Sequence, residues 1–506
     1  MNSNNKQFDS AFVIFLIIAI IYAIGNLIWW SINTPIVPMF DSAVHFTDIF
    51  INGWLFYNAP LVTYIMRFMF YIFGRELFDL IIIFVNYIFF LIPLYFIYKI
   101  GVELKDEETG NIAMILFALV PAVYVMSRQY GHKDYHIIAA ITFNIYCLIK
   151  TDYFRSRKWT IWYGISVGLG LMIKDAFLAY FFVPFIYIVI KGLKEKTDRA
   201  KVINVCMSIV LGSLIAGWHY FRPIVLDKIL NEPVKETVSI FAFDSLRIMT
   251  TGLWEELLSP PIFIIFITGL IYFIWKYKGK YKNIILLWFF VPWAIITFMP
   301  HRKKPEYGSG FIPAIALIGA MFISNIKKRN IKETVVIVLI IIGFVQYLDF
   351  SYKILNADLF NKLRLKYKQH YISYFNYNGC LMLLDFKQIQ LILGLMNHLK
   401  NKYLNEKFLI ISNSILDTFA LESQILYHGM TCDKENKTIL IFIGNINFIG
   451  DKFNEELKKI GLTTDEIFEI EQKYCLIDVF YLDKNKNENT KVTLFGRKDK
   501  FPQFSQ

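Results

Sequence analysis

Asp41, His45 and Asp48 are spaced i, i+4, i+7, which puts two carboxylates and an imidazole on one face of any helix that carries them. A carboxylate beside a His can act as a general base or hold a divalent metal. The same spacing also suits an amphipathic helix lying on a membrane. Asp134 follows His132 and Lys133; an Asp there can serve chemistry or cap a helix N-terminus. Lys174 and Asp175 form a complete two-residue turn between apolar runs, read either as working charges or as a salt-bridged turn. The run His301-Arg302-Lys303-Lys304 suits an anionic ligand, or the anionic headgroups of surrounding lipid. Cys147 and Cys206 lie inside apolar runs, and no Cys-x-x-Cys spacing occurs.

The elements that must position these residues are membrane spans. The chain has 506 residues, 56% of them hydrophobic and only 19% charged, with a mean hydropathy of +0.44. Soluble chains carry about 25% charged residues, so an ordinary soluble enzyme, a disordered scaffold and a secreted disulfide framework are excluded. A bilayer core takes about 20 residues of helix. Apolar runs predict eleven spans, at 10–30, 78–98, 109–126, 134–149, 159–173, 176–190, 202–219, 260–275, 283–299, 310–324 and 333–349. The first is too long for a signal-peptide core and lacks a cleavage site.

Loop charge alternates. Loops 99–108, 150–158, 191–201, 276–282 and 327–332 hold 19 Lys/Arg in 43 residues. The opposite set, 31–77, 127–133, 174–175, 220–259 and 300–309, holds 12 in 106. The dense set is expected in the cytoplasm, with the N-terminus inside and the C-terminus outside. The net charge of +12 thus reads as topology and not as nucleic-acid binding. Residues 351–506 hold 21 Lys/Arg and 18 Asp/Glu. Short β-prone runs at 408–412, 438–444, 475–482 and 491–495 alternate with helical patterns at about 414–428 and 452–461. The expected architecture is an α-helical polytopic membrane domain over 1–350, with an outer first loop at 31–77. A small soluble α/β extracytoplasmic domain over 351–506 follows it.

In this topology the ionisable groups gather at the outer rim. His45, His132, His136, His219 and His301 lie there, as do Asp41, Asp48, Arg128, Lys133, Asp134, Lys174, Asp175 and Arg222. The cluster at 301–304 defies the positive-inside rule, which invites an anionic ligand as its reason.

Four stretches together resemble the GT-C superfamily of polytopic glycosyltransferases, in the branch of the protein O-mannosyltransferases and lipid A aminoarabinose transferases. They are Phe40-Asp41-Ser42-Ala43-Val44-His45; Asn58-Ala59-Pro60-Leu61 through Phe73-Gly74; Gly168-Leu169-Gly170-Leu171-Met172-Ile173-Lys174-Asp175; and Lys304-Pro305-Glu306-Tyr307 with Pro313 beyond. The likeness covers about residues 8–350. It implies transfer of a sugar from a polyprenyl-phosphate donor, with Asp41 as general base and Lys304 and Tyr307 near the lipid phosphate. Asp134 falls where family members carry an acid at the start of the fourth span. Two departures stand out. Mannosyltransferases show Asp-Glu where this chain has Asp41-Ser42, and aminoarabinose transferases show Glu-Lys where it has Asn58-Ala59.

The expected chemistry is inverting. Asp41 takes the proton of an acceptor hydroxyl, and the lipid phosphate leaves from the opposite face. That leaving group needs positive charge, for which Lys304, then Arg302, then Lys174 are the candidates, with Tyr307 donating a hydrogen bond. His45, Asp134 and His132 are the supporting or acceptor-side residues. The sequence names no cofactor; a divalent metal is the one its first-loop acids and His could hold. The expected partners are a polyprenyl-phosphate-linked sugar, membrane lipids, and a lipid, glycan or protein acceptor. Two other classes compete. A lipid-linked-sugar transporter would use mid-span Pro93, Pro184 and Pro292 as helix breaks; a non-catalytic assembly protein would use the outer domain. The discriminator is whether Asp41, Asp134, Lys174 and Lys304 converge on one cavity.

Overall fold

The computed structural model describes residues 3–33, 60–74, 77–128, 133–195, 198–223, 225, 246, 250–298 and 305–352. Beyond these it describes 395, 399, 403, 407–412, 431–432, 439–443, 474–481 and 491–497. The chain divides into two compact units, one of residues 1–32 and 53–381, the other of 33–52 and 382–506.

The first unit is helical. Its helices are α1 (Ser3–Asn33), α2 (Leu61–Phe73), α3 (Phe78–Leu104), α4 (Glu107–Ala118), α5 (Pro121–Met126), α6 (Lys133–Lys150), α7 (Arg157–Ile173) and α8 (Phe177–Glu195). α9 (Arg199–Tyr220), α10 (Pro260–Trp275), α11 (Lys282–Phe298), α12 (Ile312–Ser324) and α13 (Arg329–Tyr352) follow. A π-helical turn, Leu253–Leu258, precedes α10, and a 3-10 turn, Pro305–Phe311, leads into α12. Among the described residues six segments are long and apolar enough to cross a membrane: Ala11–Ser31, Leu80–Leu104, Phe177–Lys194, Arg199–Tyr220, Tyr307–Ser324 and Arg329–Leu348. The chain is a multi-pass membrane protein.

Helix ends follow local chemistry. Asp106 caps α4, its carboxylate accepting from the Thr109 backbone N–H at 2.8 Å and the Thr109 hydroxyl at 2.7 Å. The expected span 109–126 is two helices, because Pro121 opens a new one at its first position. Pro93, Pro184 and Pro292, by contrast, sit inside unbroken α3, α8 and α11. α3 and α4 approach so closely at Gly101 that a Cβ there would lie 2.6 Å from the Gly110 Cα. Small residues permit such contacts where lipid gives no hydrophobic drive.

The interior is polar where α1, α3, α5 and α6 meet. Asn86 donates to the Ser127 carbonyl at 2.7 Å, faces His136 Nε2 at 3.0 Å, and accepts from the Tyr135 hydroxyl on its own carbonyl at 3.0 Å. Arg128 is 1% exposed. Its Nε donates to Asn26 at 3.0 Å, and its guanidinium lies over the rings of Trp29, Tyr124 and Tyr347. This buried brace ties α1, α5 and α13 together.

In the second unit a five-stranded sheet has the order β2-β1-β3-β5-β4. The strands are β1 (Lys407–Ser412), β2 (Thr431–Cys432), β3 (Ile439–Ile443), β4 (Tyr474–Tyr481) and β5 (Lys491–Arg497). β2, β1 and β3 run parallel, and β5 pairs antiparallel with both β3 and β4. β1, β3, β4 and β5 fall on the four apolar runs of the sequence; the helical patterns at 414–428 and 452–461 lie outside the described residues.

Candidate active site

Three sequence-predicted residues, carried by separate segments, meet at one end of α6. α6 opens at Lys133, placing Asp134 in its first turn, where an acid is favoured by the helix dipole. Asp134 does not cap the helix. Its carboxylate pairs with the ammonium of Lys174, which ends α7. The Asp134 and Lys174 side chains are 12% and 21% exposed, so water screens the pair weakly. The Lys174 ammonium also lies 4.9 Å from the centre of the Tyr307 ring, in cation–π range.

The neighbouring residues fix this triad. The Ser309 hydroxyl donates to the Asp134 carbonyl at 2.6 Å. The Tyr180 hydroxyl, on α8, donates to the Tyr307 carbonyl. Trp288 of α11 donates its indole N–H to the Gly310 carbonyl at 2.9 Å. Gly310 lacks a side chain because the Tyr180 ring occupies its place: a Cβ would come within 2.6 Å of it. Three helices, α6, α8 and α11, thus hold the turn carrying Tyr307. Tyr180, Trp288 and Ser309 were not singled out in the sequence, where two aromatics inside apolar runs and a Ser between glycines carry no distinguishing signal.

Lys174 and Asp175 do not form a salt-bridged turn. Lys174 turns to Asp134, while Asp175 lies 2.7 Å from the Tyr220 hydroxyl at the end of α9. His136 belongs to the buried Asn86 network and packs edge-on against Phe89. His219 is buried, with its Nδ1 2.8 Å from Arg222 Nη2. Asp41, His45, Asp48, His132, His301, Arg302, Lys303 and Lys304 lie outside the described residues. Among the described residues no three His, Cys, Asp or Glu side chains gather to hold a metal.

The cluster is a half-buried cation with a fixed counter-ion and a phenol at its side. It can receive an anionic oxygen at Lys174 and Tyr307 while Asp134 holds the ammonium in place.

Residues 57–218 match the family described as Dolichyl-phosphate-mannose-protein mannosyltransferase. No curated protein sequence matches the chain. Among solved structures, ArnT from Cupriavidus metallidurans bound to undecaprenyl phosphate is similar with a TM-score of 0.60 at 10% identity, over 96% of this chain and 97% of that one. The Archaeoglobus fulgidus oligosaccharyltransferase in the apo form is similar with a TM-score of 0.52 at 11% identity, over 92% of this chain and 69% of that one. Residues 57–218 are thus similar to a mannosyltransferase family, and the chain's fold is similar to those of the two solved structures, in line with the resemblance its motifs carry.

Proposed function

We propose that this protein is a membrane glycosyltransferase that moves a sugar from a polyprenyl-phosphate donor to a hydroxyl acceptor on the outer face, with inversion. The carrying observation is the convergence of Asp134, Lys174 and Tyr307 from segments far apart in sequence. In this reading Asp41 removes the acceptor proton, the acceptor oxygen bonds to the anomeric carbon, and the bond from that carbon to the phosphate oxygen breaks. The departing phosphate is stabilised by Lys174, Lys304 and Arg302, with a hydrogen bond from the Tyr307 hydroxyl. His45 and His132 serve the acceptor side, and Asp134 orients Lys174. A divalent metal, if used, would need the first-loop acids. All eleven apolar segments cross the membrane, the N-terminus faces the cytoplasm, and 351–506 forms a soluble α/β domain outside. The unbroken helices at Pro93, Pro184 and Pro292 favour this reading over a carrier built on broken helices.

The test is transfer by purified protein in lipid from a panel of radiolabelled polyprenyl-phosphate sugars, with host membrane extract as acceptor. Wild type is expected to transfer. Asp41→Asn, Lys174→Ala and Lys304→Ala are expected to collapse the rate. Full activity in Asp41→Asn would keep the class and overturn the base. Failure of every donor would count against transfer itself. Impermeant thiol labelling of single cysteines placed at 330 and 486 reads the topology: only the second is expected to react from outside.

A further inference from the structure

A groove of about 610 Å³ lies between α7, α8 and α9, with Asp175 of the Lys174–Asp175 turn among its lining residues. Its walls are apolar, with Val167, Leu171, Phe181 and Phe185 among them. Leu178, Phe182, Ile209 and Phe221 line it and are exposed, so it opens sideways, where a membrane helix meets lipid. Along α9 it runs from Tyr220 down to Ser208, a depth of about 18 Å at the helical rise. That is close to one leaflet of a hydrocarbon core about 30 Å thick. Depth and polarity fit one chain of a lipid drawn from a single leaflet.

The mouth states what headgroup fits. Among the described residues no Lys, Arg or His lines the groove. The charge among its described lining residues is the Asp175 carboxylate, hydrogen-bonded to Tyr220. A phosphate beside it would meet like charge, with no cation among the described lining residues. An uncharged hydroxyl would meet a charged hydrogen-bond acceptor and a phenol. Because Asp175 follows Lys174 directly, that hydroxyl would stand at the edge of the cluster where the donor phosphate is proposed to bind.

We propose that the α7–α8–α9 groove seats a chain of a membrane lipid whose headgroup ends in an uncharged hydroxyl held by Asp175 and Tyr220, and that such a lipid is the acceptor. The assignment of acceptor rests on the transfer reading; the lipid seat does not.

The test uses the full-length protein in phosphatidylcholine nanodiscs, doped with a diacylglycerol carrying a diazirine in one chain. Phosphatidic acid with the same chains is the charged control. Labelling is mapped by mass spectrometry. The diacylglycerol is expected to label α8 and α9 peptides at least about tenfold more than phosphatidic acid, the ratio one charge-assisted hydrogen bond supplies. Asp175→Ala should erase that ratio while total labelling persists. Ser213→Trp should block labelling by both lipids; Leu178→Trp repeats the plug from α8 should the first variant fold poorly. Equal labelling by both lipids, untouched by Asp175→Ala, would mean bulk lipid and overturn the seat. Displacement by undecaprenyl phosphate but not by unlabelled diacylglycerol would make the groove the donor's and also overturn it. Labelling needs no turnover, so a chain that transfers no sugar would still give a clear answer here.

Discussion

At the scale of single residues, the Asp134–Lys174 pair is both the candidate chemistry and a liability. Removing one partner of a weakly solvated ion pair leaves an uncompensated charge, at a cost of about 3–5 kcal/mol. Lys174→Ala and Asp134→Ala should each lower the thermal midpoint in detergent sharply. The double variant should be more stable than either, because no charge is then stranded, and should still fail to transfer. Additive losses would show that the pair is not coupled. Tyr307 separates differently. Its ring faces the ammonium and its carbonyl accepts from Tyr180, and Phe keeps both. Tyr307→Phe should therefore change stability by no more than about 0.5 kcal/mol. Transfer should fall roughly a hundredfold if the phenol steadies the leaving phosphate; an unchanged rate would remove Tyr307 from the reaction.

At the scale of elements, Asp106 tests how a helix start is held. Burial pushes its carboxyl pKa upward, but the Thr109 hydrogen bonds and the Lys105 ammonium outweigh this, so it lies below the ordinary carboxylate value. A depressed folded-state pKa adds stability above the unfolded value, and that stability is lost as pH falls through the folded one. Asp106→Ala should cost about 1 kcal/mol near neutral pH, and the gap from wild type should close in acid. A constant gap in thermal midpoints across that range would assign the loss to something other than the cap. Elements were also the scale at which the sequence was most legible. Apolar run length located helices, and the β-prone runs located β1, β3, β4 and β5. The break at Pro121 was missed because the run is apolar on both sides of it. β2 was missed because two residues carry no pattern. The candidate site was half legible: Asp134, Lys174 and Tyr307 are charged or motif-borne. Tyr180, Trp288 and Ser309 act through contacts 22 to 175 residues away in sequence, which no local spacing reveals.

At the scale of the whole molecule, the buried Arg128 brace holds three helices far apart in the chain. Its planar guanidinium meets three aromatic faces while donating to Asn26, a geometry the Lys ammonium cannot copy. Arg128→Lys should lose about 2 kcal/mol, read as a lower thermal midpoint with an unchanged helical circular dichroism signal at low temperature. Full stability would reduce the brace to packing. Beside it stands α6, with fifteen of its 18 residues buried, including His136, Thr142 and Asn144. A helix with no lipid-facing side has nothing to gain from resting alone in a bilayer. α6 packs against both α3 and α7, so its side chains find their partners only once those neighbours are in place. The helix that carries the candidate acid is thus one whose surroundings are set by neighbouring helices and not by lipid.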